Sequence, residues 1–347
     1  MNNSHLIIMA GGVGSRFWPM STPEIPKQFI DVLGVGKSLL QLTAERFTGV
    51  IPKEHIWVVT SKDYKGLVKA QMPYMQEEQI LLEPCRRNTA PCIAYVTYKI
   101  KKKYPDANLI FSPADHLVLD TEKFREVIAK GLEFTTSVNS IVTLGMVPSR
   151  PETGYGYIKG KEGQEVLIRK VVAFKEKPEL AVAKSYLAEG GYYWNSGIFI
   201  WNVNTVISEF EQHAPELAAK FSGLNRIYFT DKEQEVIDKE FFDCPNISID
   251  YAIMEKSVNT YVYPASFGWS DLGTWGSLHE HLTRDENGNA VVGNAVNMIA
   301  CDNCIVYTPG LEKVIIQGLD NYIVATNTRY LLVCRKGDEQ KIKEWQM

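Results

Sequence analysis

At 347 residues the chain has room for about two domains of ordinary size. With 45% apolar and 22% charged residues, its composition is that of a globular protein and excludes a disordered, collagenous or coiled-coil chain. The net charge of −4 offers no electrostatic footprint for nucleic acid or an anionic membrane. Phosphate binding would therefore rest on a few placed groups.

The first strand is predicted at 6–10, an apolar run too short for a secretory signal or a membrane span. Further β-rich runs at 56–60, 79–82, 108–111 and 140–144 alternate with helical patterns at 38–47, 62–72, 90–102 and 121–134. Ser38 reads as an N-cap, and Thr89 with Pro91 as a cap followed by an early-turn proline. The alternation implies α/β architecture, with βαβ units around a buried, mostly parallel sheet. Ligands on such sheets bind at the carboxyl ends of strands, which singles out the loops after residues 10, 82 and 112.

From about 150 to 285 the pattern is mixed. Strands at 155–159, 167–174 and 193–201 interleave with helices at 179–188, 203–213 and 232–241, read as insertions on the same sheet. After Asp285 to Asn289, short β-branched runs recur at 291–292, 296–300, 305–307, 314–316, 322–325 and 330–333, punctuated by Asn, Asp and Gly. Repeated short strands of this kind suggest a β-solenoid or a small β-domain, closed by a charged helix at 338–345. The expected division is a catalytic unit over 1–286 and a C-terminal β-domain over 287–347.

Six cysteines in a chain of this length do not make a disulfide framework. Without a leader they read as reduced thiols, and the expected location is cytoplasmic. Cys301 and Cys304 fit C-x-x-C, but no second pair and no ligand-spaced histidine accompany them.

The first strand runs into Gly11-Gly12-Val13-Gly14-Ser15-Arg16-Phe17-Trp18-Pro19. Glycines after a parallel strand let backbone N–H groups approach phosphate oxygens. A dinucleotide fingerprint would need a third glycine where Phe17 stands, and a Walker A loop at Gly36-Lys37-Ser38 would need glycine at Asp31. What remains is a Gly-rich loop followed by two cations, Arg16 and Lys27. Arg suits bidentate phosphate contacts and Lys a point charge; the competing reading is a turn with two solvated basic residues.

The motif Gly11-Gly12-x-Gly14-x-Arg16-x-x-Pro19, followed by Pro26-Lys27-Gln28-Phe29, resembles the signature of nucleoside-diphosphate-sugar pyrophosphorylases. Its particular form, Arg16-Phe17-Trp18-Pro19, is similar to that of the mannose-1-phosphate guanylyltransferases. Further blocks follow in family order: Glu83-Pro84-Cys85-Arg86-Arg87-Asn88-Thr89-Ala90-Pro91, Ser112-Pro113-Ala114-Asp115-His116, Thr153 to Ile158, and Phe174 to Pro178. Trp194-Asn195-Ser196-Gly197, Ser248-Ile249-Asp250-Tyr251 and Trp269-Ser270-Asp271-Leu272-Gly273 complete them.

The resemblance implies a Rossmann-like sheet followed by a left-handed β-helix segment. It also implies GTP and α-D-mannose 1-phosphate as substrates and Mg²⁺ as cofactor, with neither nucleic acid nor membrane as a partner. Relatives often continue into an isomerase domain; ending at Met347, this chain is expected to carry one activity, and a homodimer is left open. In-line attack of one anion on another needs positioning and cations, not a protein nucleophile.

The resemblance makes Arg16, Lys27, Asp115 and Asp271 the catalytic set, with Asp115 and Asp271 as metal ligands; an isolated Asp in either place would read equally well as an Asx-turn. Gly11, Gly12, Gly14, Ser15, Arg16, Glu83, Asn88 and Thr89 become the nucleotide-binding residues. Glu83 fits guanine, whose N1–H and N2–H₂ donors face an acceptor-only carboxylate, while Asn88 and Thr89 also suit helix capping. Gly154, Glu176, Lys177 and Asn195 fall to the sugar phosphate, provided the chain at 176–177 is irregular enough to aim two adjacent side chains inward. Asp250 matches without a clear role. The rivals are the same fold acting on another nucleotide and sugar phosphate, and a non-catalytic GDP-mannose-binding regulator.

Overall fold

The computed structural model describes residues 3–161 and 166–345. The chain divides into two compact units. The first comprises Met1–Gly11, Ala44–Pro113 and Val118–Trp269; the second comprises Gly12–Thr43, Ala114–Leu117 and Ser270–Met347. The expected boundary at 286/287 lies within the second of these.

The first unit is built on a nine-stranded sheet. Its strands are β1 (Ser4–Met9), β2 (Ile56–Ser61), β3 (Ile80–Glu83), β4 (Asn108–Pro113), β5 (Ile141–Met146), β6 (Tyr157–Gly160), β7 (Arg169–Lys175), β8 (Tyr192–Asn202) and β9 (Thr260–Ala265). The spatial order is β3-β2-β1-β4-β8-β5-β9-β7-β6. β1 is parallel to β2 and β4, and β2 to β3, as the βαβ pattern requires. The expectation of a mostly parallel sheet ends there. β8 runs antiparallel to β4, β5 and β6, while β5 and β9 form another parallel pair, so the sheet as a whole is mixed. Antiparallel neighbours need no crossover helix, which accounts for the irregular pattern read at 150–285.

Helices α1 (Leu39–Arg46), α2 (Lys65–Gln71), α3 (Thr89–Lys103) and α4 (Thr121–Ser137) follow the expected alternation. They are followed by α5 (Leu180–Glu189), α6 (Val203–His213), α7 (Pro215–Gly223) and α8 (Glu233–Phe242). Alternate strand residues face opposite ways. Ile7, Trp57, Phe111 and Trp201 share one buried core with Ile93 of α3, Phe210 of α6, Phe221 of α7 and Phe241 of α8. Ile200, one residue off that face, meets α4, where a Cβ on Gly131 would stand 2.5 Å from its Cδ1. Helices therefore cover both faces. Truncating a fully buried aromatic such as Trp201 would cost about 3–5 kcal/mol.

In the second unit, β10 (Ala290–Gly293), β12 (Ile305–Thr308) and β14 (Tyr322–Thr326) are parallel, and β15 (Leu331–Arg335) closes the sheet antiparallel to β14. β11 (Val296–Ile299) and β13 (Val314–Gln317) form a second parallel pair. Val306 and Val324 are buried with Cys301 and Ile316. Their neighbours Ile305 and Ile323 are buried on the other side with Phe17, Leu272 and Trp275. The Phe17 and Trp275 rings lie 5.3 Å apart. Phe17, standing where a dinucleotide loop would carry glycine, is thus an anchor in the core.

The Cys301 and Cys304 thiols are buried and donate to backbone carbonyls: Cys301 to Ile299 and Ile316, Cys304 to Asp302 and Leu319. No helix among the described residues is long and apolar enough to cross a membrane.

Candidate active site

In the second unit, Gly14 adopts φ 68°, and a Cβ there would stand 2.7 Å from Lys27 Cβ. Only glycine permits both the turn and the close approach. The turn starts the short 3₁₀ helix Ser15–Phe17, which leaves Arg16 exposed beyond its buried neighbour Phe17. The Gln28 amide donates to the Gly12 carbonyl at 2.8 Å, and Ser21 Oγ donates to the Gly14 carbonyl. The glycine loop is held from behind by side chains of the segment that carries Lys27.

The Lys27 side chain is 4% exposed, and its ammonium lies 2.9 Å from Asp115 Oδ2. It also donates to the carbonyls of Asp271 and Leu272 at 3.0 and 2.9 Å. An ammonium has three N–H donors, and these three partners account for them. Lys27 therefore acts here as a tie between two acidic segments, where the sequence suggested an open phosphate contact.

Burial alone would raise the Asp115 pKa; the charges of Lys27 and His116 and the Lys27 hydrogen bond overcome it and hold the carboxyl below its ordinary value. A third of the Asp115 side chain remains exposed. Gly14, Ser15, Arg16, Lys27, Asp115, His116, Asp271, Gly273 and Lys343 line one cleft of about 370 Å³. Asp271 sits at a tight turn, with Leu272 at φ 45° and Asp271 Oδ1 accepting from the Gly273 N–H at 2.9 Å. No group of three or more metal-ligating side chains occurs among the described residues. Two carboxylates on a phosphate-sized cleft fit Mg²⁺, which takes few protein ligands and completes its shell with phosphate oxygens and water.

In the first unit, Glu83 ends β3. Its Oε1 is buried and has no hydrogen-bond partner. A Cβ on Gly11 would stand 3.5 Å from Oε2, so the glycine leaves room beside the carboxylate. Burial pushes the Glu83 pKa up to about 7 against the opposing effect of a Cys92 hydrogen bond. Asn88, at φ 63°, is the N-cap of α3, its Oδ1 accepting from the Thr89 N–H at 2.9 Å. The expected cap, Thr89, is one residue further along; its hydroxyl accepts from the Ile249 N–H at 2.8 Å.

A second cluster in this unit gathers the sugar-side candidates. β7 ends at Lys175, and Lys177 turns to φ 43°, so Lys177 Nζ meets Glu176 Oε1 at 2.7 Å. The chain is irregular there, but it pairs the two side chains with each other and leaves Lys177 exposed, so only Glu176 is turned inward. A Cβ on the buried Gly156 would lie 2.5 Å from Glu176 Oε2 and 3.4 Å from Asn195 Cβ. Asn195 N donates to the Gly156 carbonyl at 2.8 Å. Its Nδ2 donates to Asp250 Oδ1 at 3.0 Å, while its Oδ1 accepts from Thr143 and from the Gly197 N–H. Gly154 sits on an exposed loop, its N–H donating to Glu152 Oε1 at 3.0 Å.

A nucleotidyl transferase family profile matches residues 5–288. A mannose-1-phosphate guanylyltransferase of Salmonella montevideo is 37% identical, over 97% of this chain and 72% of that protein. The Escherichia coli K12 protein of the same name is 32% identical over the same shares. The chain belongs to the nucleotidyl transferase family. A solved Thermus thermophilus structure, described as a mannose-1-phosphate geranyltransferase, matches with a TM-score of 0.88 at 30% identity. It covers 99% of this chain, and this chain covers 98% of it.

Each of these clusters, taken within its own unit, includes residues that sequence reasoning did not single out. Lys343, on the Gly14 cleft, and Cys92, bonded to Glu83, lie in no motif, whereas His116 and Gly156 lie inside the blocks at 112–116 and 153–158. For His116 and Gly156 those blocks were the available signal. Lys343 and Cys92 had none.

Proposed function

We propose that this nucleotidyl transferase converts GTP and α-D-mannose 1-phosphate to GDP-mannose and diphosphate. One observation carries the reaction type. Lys27 fixes Asp115 and the Asp271 turn on the cleft that also holds Gly14 and Arg16, an arrangement of acid and cation suited to bringing two phosphate esters together. A sugar phosphate oxygen attacks the α-phosphorus of GTP in line, and diphosphate leaves. The glycine loop N–H groups and Arg16 take the triphosphate, and Arg16 offsets charge on the departing diphosphate. Asp115 and Asp271 would hold Mg²⁺, which supplies charge neutralisation at the phosphates. Lys27 keeps Asp115 ionised.

Glu83 supports the choice of guanine: a buried acceptor without a partner suits two adjacent N–H donors, whereas adenine places an acceptor at the corresponding N1. Glu176, Lys177 and Asn195 are assigned to the sugar phosphate, with Gly154 on the adjoining loop.

The C-terminal strands read as a left-handed β-helix segment. Supporting this, Ile305 pairs with Ile323 and Val296 with Val314, in each case 18 residues on, or three hexapeptides. The family match ends at residue 288, which supports a β-domain over 287–347 as an addition to the catalytic unit. Six free cysteines support a cytoplasmic protein.

The test is diphosphate release with mannose 1-phosphate, Mg²⁺ and each of the four nucleoside triphosphates. GTP is expected to be preferred, and preference for UTP would overturn the substrate reading. Binding of GDP-mannose with no release of diphosphate would make the chain a sensor. Asp271→Asn keeps an acceptor for the Gly273 N–H, so it should fold normally while turnover falls by about 100-fold.

A further inference from the structure

Asp250 is the one acidic residue of the family motifs whose sequence context suggests no task. We propose that it is a specificity-determining residue for the sugar, accepting a hydroxyl hydrogen bond beside Glu176. This rests on the sugar-side reading above and deepens it.

Three observations lead there. First, Asp250 stands beside the sugar cluster. Its Oδ1 accepts from Asn195 Nδ2 at 3.0 Å, and Asn195 in turn packs against the Gly156 position that Glu176 Oε2 crowds. Asn195 has little freedom to do otherwise, since its Oδ1 is engaged by Thr143 Oγ1 and the Gly197 N–H, each at 3.2 Å.

Second, the arrangement is costly without a ligand. Burial and the nearby Glu176 charge push the Asp250 pKa up to about 6. A backbone N–H and Asn195 Nδ2 offset this in part, and the basic residue paired with Glu176 is the exposed Lys177. Two partly buried carboxyls, near enough that the Glu176 charge raises the proton affinity of Asp250, suit a ligand rich in hydroxyl donors. A pyranose presents such donors, and a carboxylate only accepts.

Third, Asp250 opens a π-helical turn, Asp250–Met254, set in place by the Ala252 N–H bond to the Ser248 carbonyl and by the Ile249 N–H bond to Thr89. Such turns are rare in helices and concentrate at functional sites.

Asp250→Asn separates recognition from packing. Asn keeps an oxygen for Asn195 Nδ2 but replaces the other acceptor with a donor, whereas Asp250→Ala removes both. Calorimetry with GDP and with GDP-mannose, on the full chain, reads the sugar contribution directly. In the wild type GDP-mannose should bind more tightly than GDP. In Asp250→Asn its affinity should fall about tenfold or more, with GDP affinity unchanged. Steady-state assays should show the same split: KM for mannose 1-phosphate rises and KM for GTP holds.

If Asp250→Asn binds GDP-mannose as the wild type does and only Asp250→Ala weakens it, Asp250 merely orients Asn195 and the proposal fails. Equal loss of GDP affinity in Asp250→Asn also overturns it. A wild type that binds GDP-mannose no better than GDP refutes the sugar-side reading itself, a distinguishable result.

Discussion

Lys27 Nζ and Asp115 Oδ2 are 2.9 Å apart, and the same ammonium is bonded to the carbonyls of Asp271 and Leu272. One cation thereby sets the protonation of one acid and the backbone position of another.

Lys27→Met keeps the stem and removes the charge. Burial would then push the Asp115 carboxyl up, and two carbonyls would lose their donor. Turnover should fall about 100-fold or more, and the Mg²⁺ concentration for half-maximal rate should rise. Asp115 is partly exposed, so the stability loss should lie between those of exposed and buried pairs, about 2 kcal/mol by urea unfolding. An unchanged Mg²⁺ dependence would reduce the tie to a stabilising contact.

Glu83 gives a pH signature. Its folded-state pKa of about 7 lies above the ordinary 4.5, so the folded protein binds the proton more tightly than the unfolded chain. Stability relative to Glu83→Gln should therefore fall as pH rises from about 4.5 to about 7 and stay level above. GTP affinity should move the other way, strengthening as the carboxylate forms. Titration of GTP binding from pH 6 to 8 checks this, and Glu83→Gln should flatten the profile and weaken discrimination against ATP. A Glu83→Gln variant with unchanged discrimination would remove Glu83 from base reading.

The first half of the fold was legible because its parallel strands are short apolar runs set between amphipathic, capped helices. Ser38 shows how local that signal is: Ser38 and Gln41 exchange backbone and side-chain hydrogen bonds at the start of α1. β9 was missed because Pro264 weakens a strand reading; its pairing with β5, far away in sequence, is what places it in the sheet. α7 was missed because it begins at Pro215, two residues after α6 ends, and reads as a helix stop. The site divides the same way. Gly14, Arg16 and Glu83 announce themselves through type and position after strands. The task of Lys27 depends on carbonyls 244 and 245 residues away, and Asp250 is held by an amide 55 residues away. No local pattern encodes those distances.

Gly156 has no room for a side chain. A Cβ would stand 2.5 Å from Glu176 Oε2, so Gly156→Ala must displace that carboxylate or the strand carrying it. Overpacking of one methyl should cost about 1–3 kcal/mol by thermal unfolding. The functional effect should be selective, with kcat/KM for mannose 1-phosphate down about tenfold and KM for GTP nearly unchanged. Equal losses for both substrates would mean that Glu176 serves packing alone.

Thiol accessibility checks the placement of the loop after β3. All six cysteines are unpaired, and Cys85 is the one that is not buried. Burial pushes Cys244 and Cys334 up to about 11, and raises Cys92 and Cys304 as well. A thiol reagent at pH 8 should therefore label one cysteine quickly in the native protein and the rest only as the fold opens. Cys85→Ala should abolish the fast phase. Cys85 lies two residues beyond Glu83, so saturating GTP should slow that phase if Glu83 reads the base. A fast phase of more than one thiol would contradict the burial of the others. A fast phase indifferent to GTP would place the nucleotide away from the β3 loop.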